Sequence, residues 1–412
     1  MAQSLDTRCC IAGGGPAGMM LGFLLARSGV DVVVLEKHGD FLRDFRGDTV
    51  HPSTLDVLHE LGLLDEFLRR PHQEIRELTA QIGNETVPLA DLTHLPTRCR
   101  FVVLMPQWDF LDFVKQHASR YPGFHLCMTA EVTDLLERDG RVVGARATTT
   151  HGPLEVRASL TVGADGRHSV VRDRARLKVT GLGAPMDVMW MRISRHAGDP
   201  PQTFGHADRG KMIILLNRDT YWQAAYVIPK GEADAVRERG IEAFREEIAQ
   251  FQPFLRDRLG ELRDWNAVSV LSVSVDRLER WARPGLLCIG DAAHAMSPIG
   301  GVGINLAIQD AVAAANILGP ALLNGHGGVP ESLLHAVQRR RSFPTRATQR
   351  VQILAQNNIV AKVLAAGDTP FSVPLGFRLL RRWPVLRRIP ARIIGVGFRP
   401  EHVRTPEAGS AS

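Results

Sequence analysis

Eight residues near the start, IAGGGPAG (Ile11 to Gly18), constrain this chain more than any other stretch. They follow a short apolar run, Arg8 to Ala12, and open an apolar segment, Pro16 to Ser28, that stops at Gly29. DVVVLE (Asp31 to Glu36) then supplies the continuous β-branched run of a strand buried on both faces. The sequence therefore predicts strand, tight turn, helix, strand. Gly13 permits the turn, Gly15 lets a pyrophosphate approach the backbone, and Gly18 lets the helix pack on the strand. Pro16 and Ala17 form the first helical turn, whose N–H groups face that anion. Glu36, about 20 residues on, is placed to bind a ribose hydroxyl, with Lys37 beside it. An acid there argues against a 2′-phosphate at this position.

Two later stretches suit the same ligand. VGADGRHSVVR (Val162 to Arg172) carries Asp165 and Gly166. LLCIGDAAHAMSPIGGVGINLAIQDA (Leu286 to Ala311) ends an apolar strand on Gly290 and Asp291, and Asp291 can bond a ribitol or ribose hydroxyl. Pro298, Gly300, Gly301, Gly303, Ile304 and Asn305 follow at the start of a helix, where backbone N–H groups stabilise negative charge. A reduced flavin carries such charge on its pyrimidine edge. Three loops so far apart converge only on one dinucleotide, which points to FAD. His294 fits a catalytic role or a place in the turn.

Composition narrows the class. The 412 residues suffice for two lobes, and 44% hydrophobic with 23% charged residues is ordinary for a globular protein. Fifty Lys and Arg against 44 Asp and Glu is a modest excess, so nucleic acid is not the expected partner. The charge gathers at Arg43 and Arg46, at Arg339 to Arg341, and between Arg378 and Arg392. A phosphate-bearing cofactor, an anionic membrane surface or a solvated helix face would each explain such clusters. Five cysteines without a CxxC pair argue against a disulfide framework and against a metal, and fit a reducing cytoplasm. MAQSLDTR lacks the pattern of a signal peptide, and the glycines within Cys9 to Ala26 argue against a membrane span.

The rest reads as two excursions from the cofactor domain. Thr54 to Leu68 and Gln107 to Tyr121 have helical periodicity, with strands between them over Gln73 to Arg100. DVMWMRI, KMIILLN and YWQAAYVIP form a second strand-rich block from Gly181 to Val275, interrupted by a helix at Ile241 to Phe251. A strand near Gly285 to Gly290 and a helix from Gly303 to Leu318 return to the first sheet, and Val360 to Pro400 is helical, basic and proline-bearing. The expected fold is α/β. A Rossmann-like FAD-binding domain (1–72, 101–180, 276–345) carries an inserted sheet-rich substrate domain (73–100, 181–275), with a C-terminal helical region and tail (346–412). Trp190, Arg192, Met212, Ile214 and Tyr226 lie on the inserted strands, together with Trp222 and Gln223, and are the candidate substrate residues. Strand alternation sends about half of them to any one face.

On these motifs the chain resembles the FAD-dependent aromatic hydroxylases of the para-hydroxybenzoate hydroxylase type, the single-component flavoprotein monooxygenases, over roughly Arg8 to Leu323. The resemblance implies that the pair Asp165 and Gly166, with Ser169 and Arg172, serves both FAD and the nicotinamide cofactor. It assigns Arg46, in FRGDTVHPSTLDVL, to the FAD phosphates and the catalytic site, and Gln107 to the adenosine side. It places the carbonyl of Pro298 near substrate and flavin. It further implies that NADPH or NADH docks transiently, with Arg43 or Arg46 as phosphate partners. FAD is then reduced, and a flavin hydroperoxide passes oxygen to an electron-rich ring. Only three tyrosines are present, and the tyrosine relay of the para-hydroxybenzoate enzyme is not evident. That favours a bulkier aromatic or polyketide-like substrate. WQAAYVIP lacks the second tryptophan of the halogenase signature WxWxIP. The competing readings are a reductase of the geranylgeranyl reductase type, a non-catalytic binder, and a hydroxylase of a lipophilic phenol like those of the ubiquinone pathway. In the last case Phe377 to Ile394 would touch a membrane peripherally, although Pro384 and Pro390 break that helix. A monomer or a homodimer is expected.

Overall fold

The computed structural model describes residues 3–42, 48–324 and 328–409. Arg43 and Arg46 lie outside the described residues. At the centre of the larger sheet is Gln3–Ala12, parallel to Val32–Leu35 on one side and to Gly152–Gly163 on the other. Phe124–Cys127 and Leu286–Cys288 continue the parallel set outward. The antiparallel pair Glu131–Arg138 and Arg141–Thr149 flanks Gly152–Gly163. The Cys9 to Ala12 end of the central strand is fully buried, as its unbroken apolar run requires. Helix Pro16–Arg27 covers it, and the mostly buried helix Gly303–Asn324 packs alongside.

The second sheet has seven strands, in the order Val268–Leu271, Met186–Ser194, Tyr221–Pro229, Lys211–Asn217, Phe204–Asp208, Glu77–Ile82, Glu85–Asp91. One face, with Met189, Ile213 and Trp222, is sealed by Phe244 and Ile248 of helix Ile241–Phe251. The opposite face carries Val188, Ala225 and Val227 and turns toward Ile299 and Val360. Gln73–Ile75 joins neither large sheet; it pairs with Val102–Leu104, which also pairs with Thr49–Val50.

Some elements differ from the sequence expectation. Thr54 to Leu68 is two helices, Pro52–Glu60 and Leu64–Leu68, because Gly62 turns the chain at φ +72°. The helix expected to end at Leu318 runs to Asn324, and a 25-residue helix, Glu331–Ala355, runs straight across residue 345. It continues through a π turn, Gln356–Val360, to Ala365, and beyond that the C-terminal region has two short helices, Leu375–Arg382 and Arg388–Gly395. One stretch, Ile299–Asn324, has the length and hydropathy of a membrane span, but 72% of its apolar window is buried inside the fold.

A buried ionic network joins these layers. The Asp310 carboxylate is 0% exposed; it accepts from Gly290 N at 3.1 Å, His294 Nε2 at 2.6 Å and Arg341 Nε at 2.8 Å. Arg341 Nη1 also reaches Glu401 Oε1 at 3.3 Å, and Arg340 pairs with the same carboxylate. Burial pushes the Asp310 carboxyl up, but the His294 and Arg341 charges outweigh it and hold the group below the usual carboxylate range. Removing one partner leaves a buried charge uncompensated. Arg341→Leu is therefore expected to cost about 3–5 kcal/mol of unfolding free energy, read by urea denaturation. A loss below about 1 kcal/mol would show that the network relaxes without it.

Candidate functional site

The first motif meets the second through Gly13. Its φ is +104°, and a Cβ there would lie 2.4 Å from Ala164 O and 2.8 Å from Asp165 Cα. Gly18 is equally committed, since its Cβ would lie 1.9 Å from Gly13 O. The second motif meets the third through Arg167, whose Nε lies 3.1 Å from Asp291 Oδ2. The third returns to the first where a Cβ on Gly290 would come 3.1 Å from that of Ala17. All three loops thus border one crevice at the carboxyl ends of the parallel strands, where open α/β sheets bind ligands.

Gly15 and Gly166 behave differently. A Cβ on either would meet nothing within 4 Å. The protein fills the space at Gly13 and Gly18 and leaves it open at Gly15 and Gly166. Open space beside helix N–H groups is what a pyrophosphate needs, so these residues fit a dinucleotide. Glu36 holds the loop from beneath: Oε2 accepts from Gly14 N at 2.8 Å and Oε1 from His38 N at 3.1 Å. Lys37 is exposed beside it. Asp165 accepts from Ser169 Oγ at 2.5 Å and Val171 N at 3.1 Å, while burial pushes its carboxyl above the usual range.

The third loop is braced from several sides. Pro298 O accepts from Gly301 N at 3.0 Å and closes the turn. Gly303 and Ile304 then begin the helix, and their N–H groups have no partner within it. Asn305 Oδ1 accepts from Ser53 Oγ at 2.9 Å and Thr54 Oγ1 at 2.6 Å. Gln352 Nε2 donates to the carbonyls of Ser297 and Ile299, both at 2.9 Å, and Gln356 Nε2 donates to Ser297 Oγ at 2.8 Å. Gln349 holds the carbonyls of Asp276 and Ala295. His294 is buried on Asp310 with its ring 5.0 Å from that of Trp281, so it braces the turn from inside. Gln107 opens the helix Gln107–Ala118, and its backbone bonds the Asp48 carboxylate. Asp48 also pairs with Arg218 at 2.7 Å, and burial raises its carboxyl despite that charge.

Strand register sorts the substrate candidates. Trp190, Ala225 and Ile214 form one cross-strand row, and Val188, Val227 and Met212 the next. Both rows lie on the face toward Ile299 and Leu364, and Trp190, Met212 and Ile214 keep partial exposure there. Arg192 shares that parity but is exposed, its guanidinium 4.0 Å from the Tyr221 ring centroid. Tyr226 is a correction. It pairs with Met189 and Ile213 on the opposite face, packs edge-on against Phe244 and donates to Glu247 Oε1 at 2.5 Å. A one-residue offset from Ala225 sends it to the core behind the sheet. Sequence reading missed Arg167, the three glutamines, and the pair Ser53 and Thr54. Only the glutamines left a signal, a polar stripe at i, i+3 and i+7 on one helix face.

His51 ties the third loop to the C-terminal helices. It is 1% exposed, with Nδ1 2.8 Å from Ile394 O and Nε2 3.1 Å from Gly301 O. Both partners are acceptors, and a neutral ring has one N–H, so only the imidazolium serves both. Thr49 Oγ1 also donates to Gly301 O at 2.9 Å, which covers that carbonyl when the ring is neutral.

A family model described as FAD binding domain matches residues 6–351. 6-Methylpretetramide 4-monooxygenase of Streptomyces rimosus is 32% identical over 395 residues, covering 95% of this chain and 93% of that protein. A dialkyldecalin synthase of Streptomyces rugosporus is 28% identical over 366 residues, covering 87% and 74%. Among solved structures, the anhydrotetracycline hydroxylase of Streptomyces rimosus matches with TM-score 0.74 at 23% identity, covering 95% and 76%; that likeness is one of fold.

Two outcomes follow from the geometry. A Cβ on Gly15 meets no protein atom within 4 Å, so Gly15→Val directs its side chain into the space a pyrophosphate needs, and FAD retention after gel filtration is lost. The apoprotein melt stays within about 1 kcal/mol of wild type. Burial lowers the His51 pKa below 6.5, so on acidification the unfolded chain takes up its proton first. The contribution of His51 to stability is complete above pH 6.5 and declines as the pH falls through and below it. His51→Gln is expected to flatten part of that decline in urea titrations between neutral and mildly acid pH.

Proposed function

The chain belongs to the FAD binding domain family of flavin-dependent monooxygenases, and from that premise we propose that it hydroxylates a polycyclic aromatic, polyketide-like substrate with O2 and NAD(P)H. The observation that carries this reading is the apolar face of Trp190, Met212 and Ile214, left partly open beside the loop at Ile299 while its neighbours are sealed. A flat, apolar ring system fits such a wall, and a relative 32% identical over 395 residues is named for 6-methylpretetramide.

When bound, FAD supplies hydride acceptance from the nicotinamide and activation of dioxygen. The chain supplies position and electrostatics. Gly13 to Gly18 and the first turn of Pro16–Arg27 receive the pyrophosphate, and Glu36 and Gln107 lie on the adenosine side. Asp291, paired with Arg167 at 3.1 Å, would hold a ribitol hydroxyl, and Asp165 with Gly166 would border the nicotinamide path. The N–H groups of Gly303, Ile304 and Asn305 at the start of the helix would stabilise negative charge on the flavin, while that of Gly301 closes the turn on Pro298 O. The Pro298 backbone marks the place where substrate and flavin meet. Trp190, Met212 and Ile214 exclude water from the reacting centre. Arg192 sits where an acidic or phenolic substituent would emerge. In this division of labour residues 1–72, 101–180 and 276–345 hold FAD, residues 73–100 and 181–275 hold substrate, and 346–412 cover the site. A cytoplasmic location belongs to the same proposal and is supported by five cysteines that remain free.

The test is stopped-flow flavin absorbance with NADPH or NADH and a panel of polycyclic aromatic polyketides, followed by product mass under labelled dioxygen. A panel member that accelerates flavin reduction and gains one labelled oxygen supports the reading. Bound flavin that no member stimulates, with no oxygenated product, sinks it. Ile214→Trp fills the wall, so KM for that substrate rises about tenfold or more while FAD content is unchanged.

A further inference from the structure

Residues 369–400 contain seven arginines and no Asp or Glu. Phe371, Val373 and Phe377 pack with Ile82, Val87 and Leu89, and Ala391 and Val396 pack with Ala90 and Leu92. Gly395 sits so close that a Cβ would lie 2.6 Å from Leu95 Cδ1. With the inner face committed, the outer face is still apolar. Leu375, Leu379 and Trp383 descend one side of helix Leu375–Arg382 and are 73%, 37% and 52% exposed. Val385 and Ile389, 60% and 58% exposed, continue beyond Pro384. Arg381 pairs with Glu85 and the Arg388 charge acts on the Asp91 carboxylate, but Arg382 and Arg392 make no ion pair among the described residues.

We propose that this outer face docks the enzyme on an anionic lipid surface. A second copy is the wrong occupant, because it would bring the same unpaired arginines against these. An acidic protein would satisfy the charge, but the exposed side chains lie on both sides of a proline break and share no single groove. A lipid interface supplies phosphates to the arginines and lets each apolar side chain, with Trp383 at the boundary, find its own depth. The surface also stands beside the active-site loop: Ile394 O holds His51, and a Cβ on Gly300 would lie 3.8 Å from Ile394 Cγ1. An apolar substrate dissolved in the interface would therefore arrive at the site. That last step rests on the proposed function, whereas the lipid contact does not.

The experiment is flotation of the full-length, FAD-loaded protein with phosphatidylcholine vesicles, with and without phosphatidylglycerol. Flotation is expected only with the anionic vesicles, and to weaken with salt. Arg382→Gln with Arg388→Gln is expected to reduce partition roughly thirtyfold, two charges at about 1 kcal/mol each. Leu379→Glu with Trp383→Glu is expected to abolish it. The flavin spectrum and thermal melt of each variant establish that it is folded. Wild-type protein that stays at the bottom with anionic vesicles overturns the proposal, as do folded variants that float like wild type. Retention on polyglutamate without flotation also overturns it and identifies an acidic protein as the partner.

Discussion

The Asp310 carboxylate is where the architecture is decided. It lies two turns into the helix Gly303–Asn324, yet it holds the turn at Gly290 and, through Arg341, the helix Glu331–Ala355. A fully buried ion pair is seldom the cheapest way to fill a core, and its better-attested use is to specify one arrangement among several. Here the arrangement specified is the position of Asp291 and of the helix N-terminus opposite it. The same network reaches Glu401, so the segment after helix Arg388–Gly395 is tied to the strand end that borders the cofactor crevice.

The first sheet and the cofactor loops were readable in the sequence because backbone geometry forced the residue types. Gly13 and Gly18 stand where no side chain fits, and Asp31 to Glu36 is a run that only a strand buried on both faces tolerates. What sequence could not show was anything that depends on pairing register or on polar groups facing inward. Tyr226 and Ala225 are neighbours in sequence with opposite fates, and only the alignment of Tyr221–Pro229 with Met186–Ser194 tells them apart. Gln349, Gln352 and Gln356 look like the solvated side of a helix, yet they face the loop, the first two donating to its carbonyls and the third to the Ser297 hydroxyl. Arg167 and Asp291 are more than a hundred residues apart, and nothing local marks them as partners.

The two faces of the seven-stranded sheet explain how one scaffold serves relatives with differently named reactions. The face under helix Ile241–Phe251 is closed by Trp222, Phe244 and Leu255 and contributes stability. The other face is finished by residues from three separate segments, the strands, the loop at Ile299 and the helices after Val360. The strands and the helices after Val360 can vary without disturbing the parallel sheet that carries the glycines, whereas the loop at Ile299 belongs to the cofactor crevice as well. Substrate range is therefore free to change while the cofactor crevice stays fixed.

The parallel pairing of Gln3–Ala12 has a consequence for synthesis on the ribosome. One edge of that strand is matched almost at once by Val32–Leu35, but the other waits for Gly152–Gly163. At about 5–20 residues per second the wait is roughly ten seconds, during which an apolar strand presents an open edge in the growing chain. The antiparallel arm formed by Glu131–Arg138 and Arg141–Thr149 arrives just before the missing partner and pairs with it directly, which aligns it for capture. The nascent chain is thus most exposed to intermolecular pairing in the first third of translation, and the nucleotide pocket, which needs residue 290 as well, closes much later.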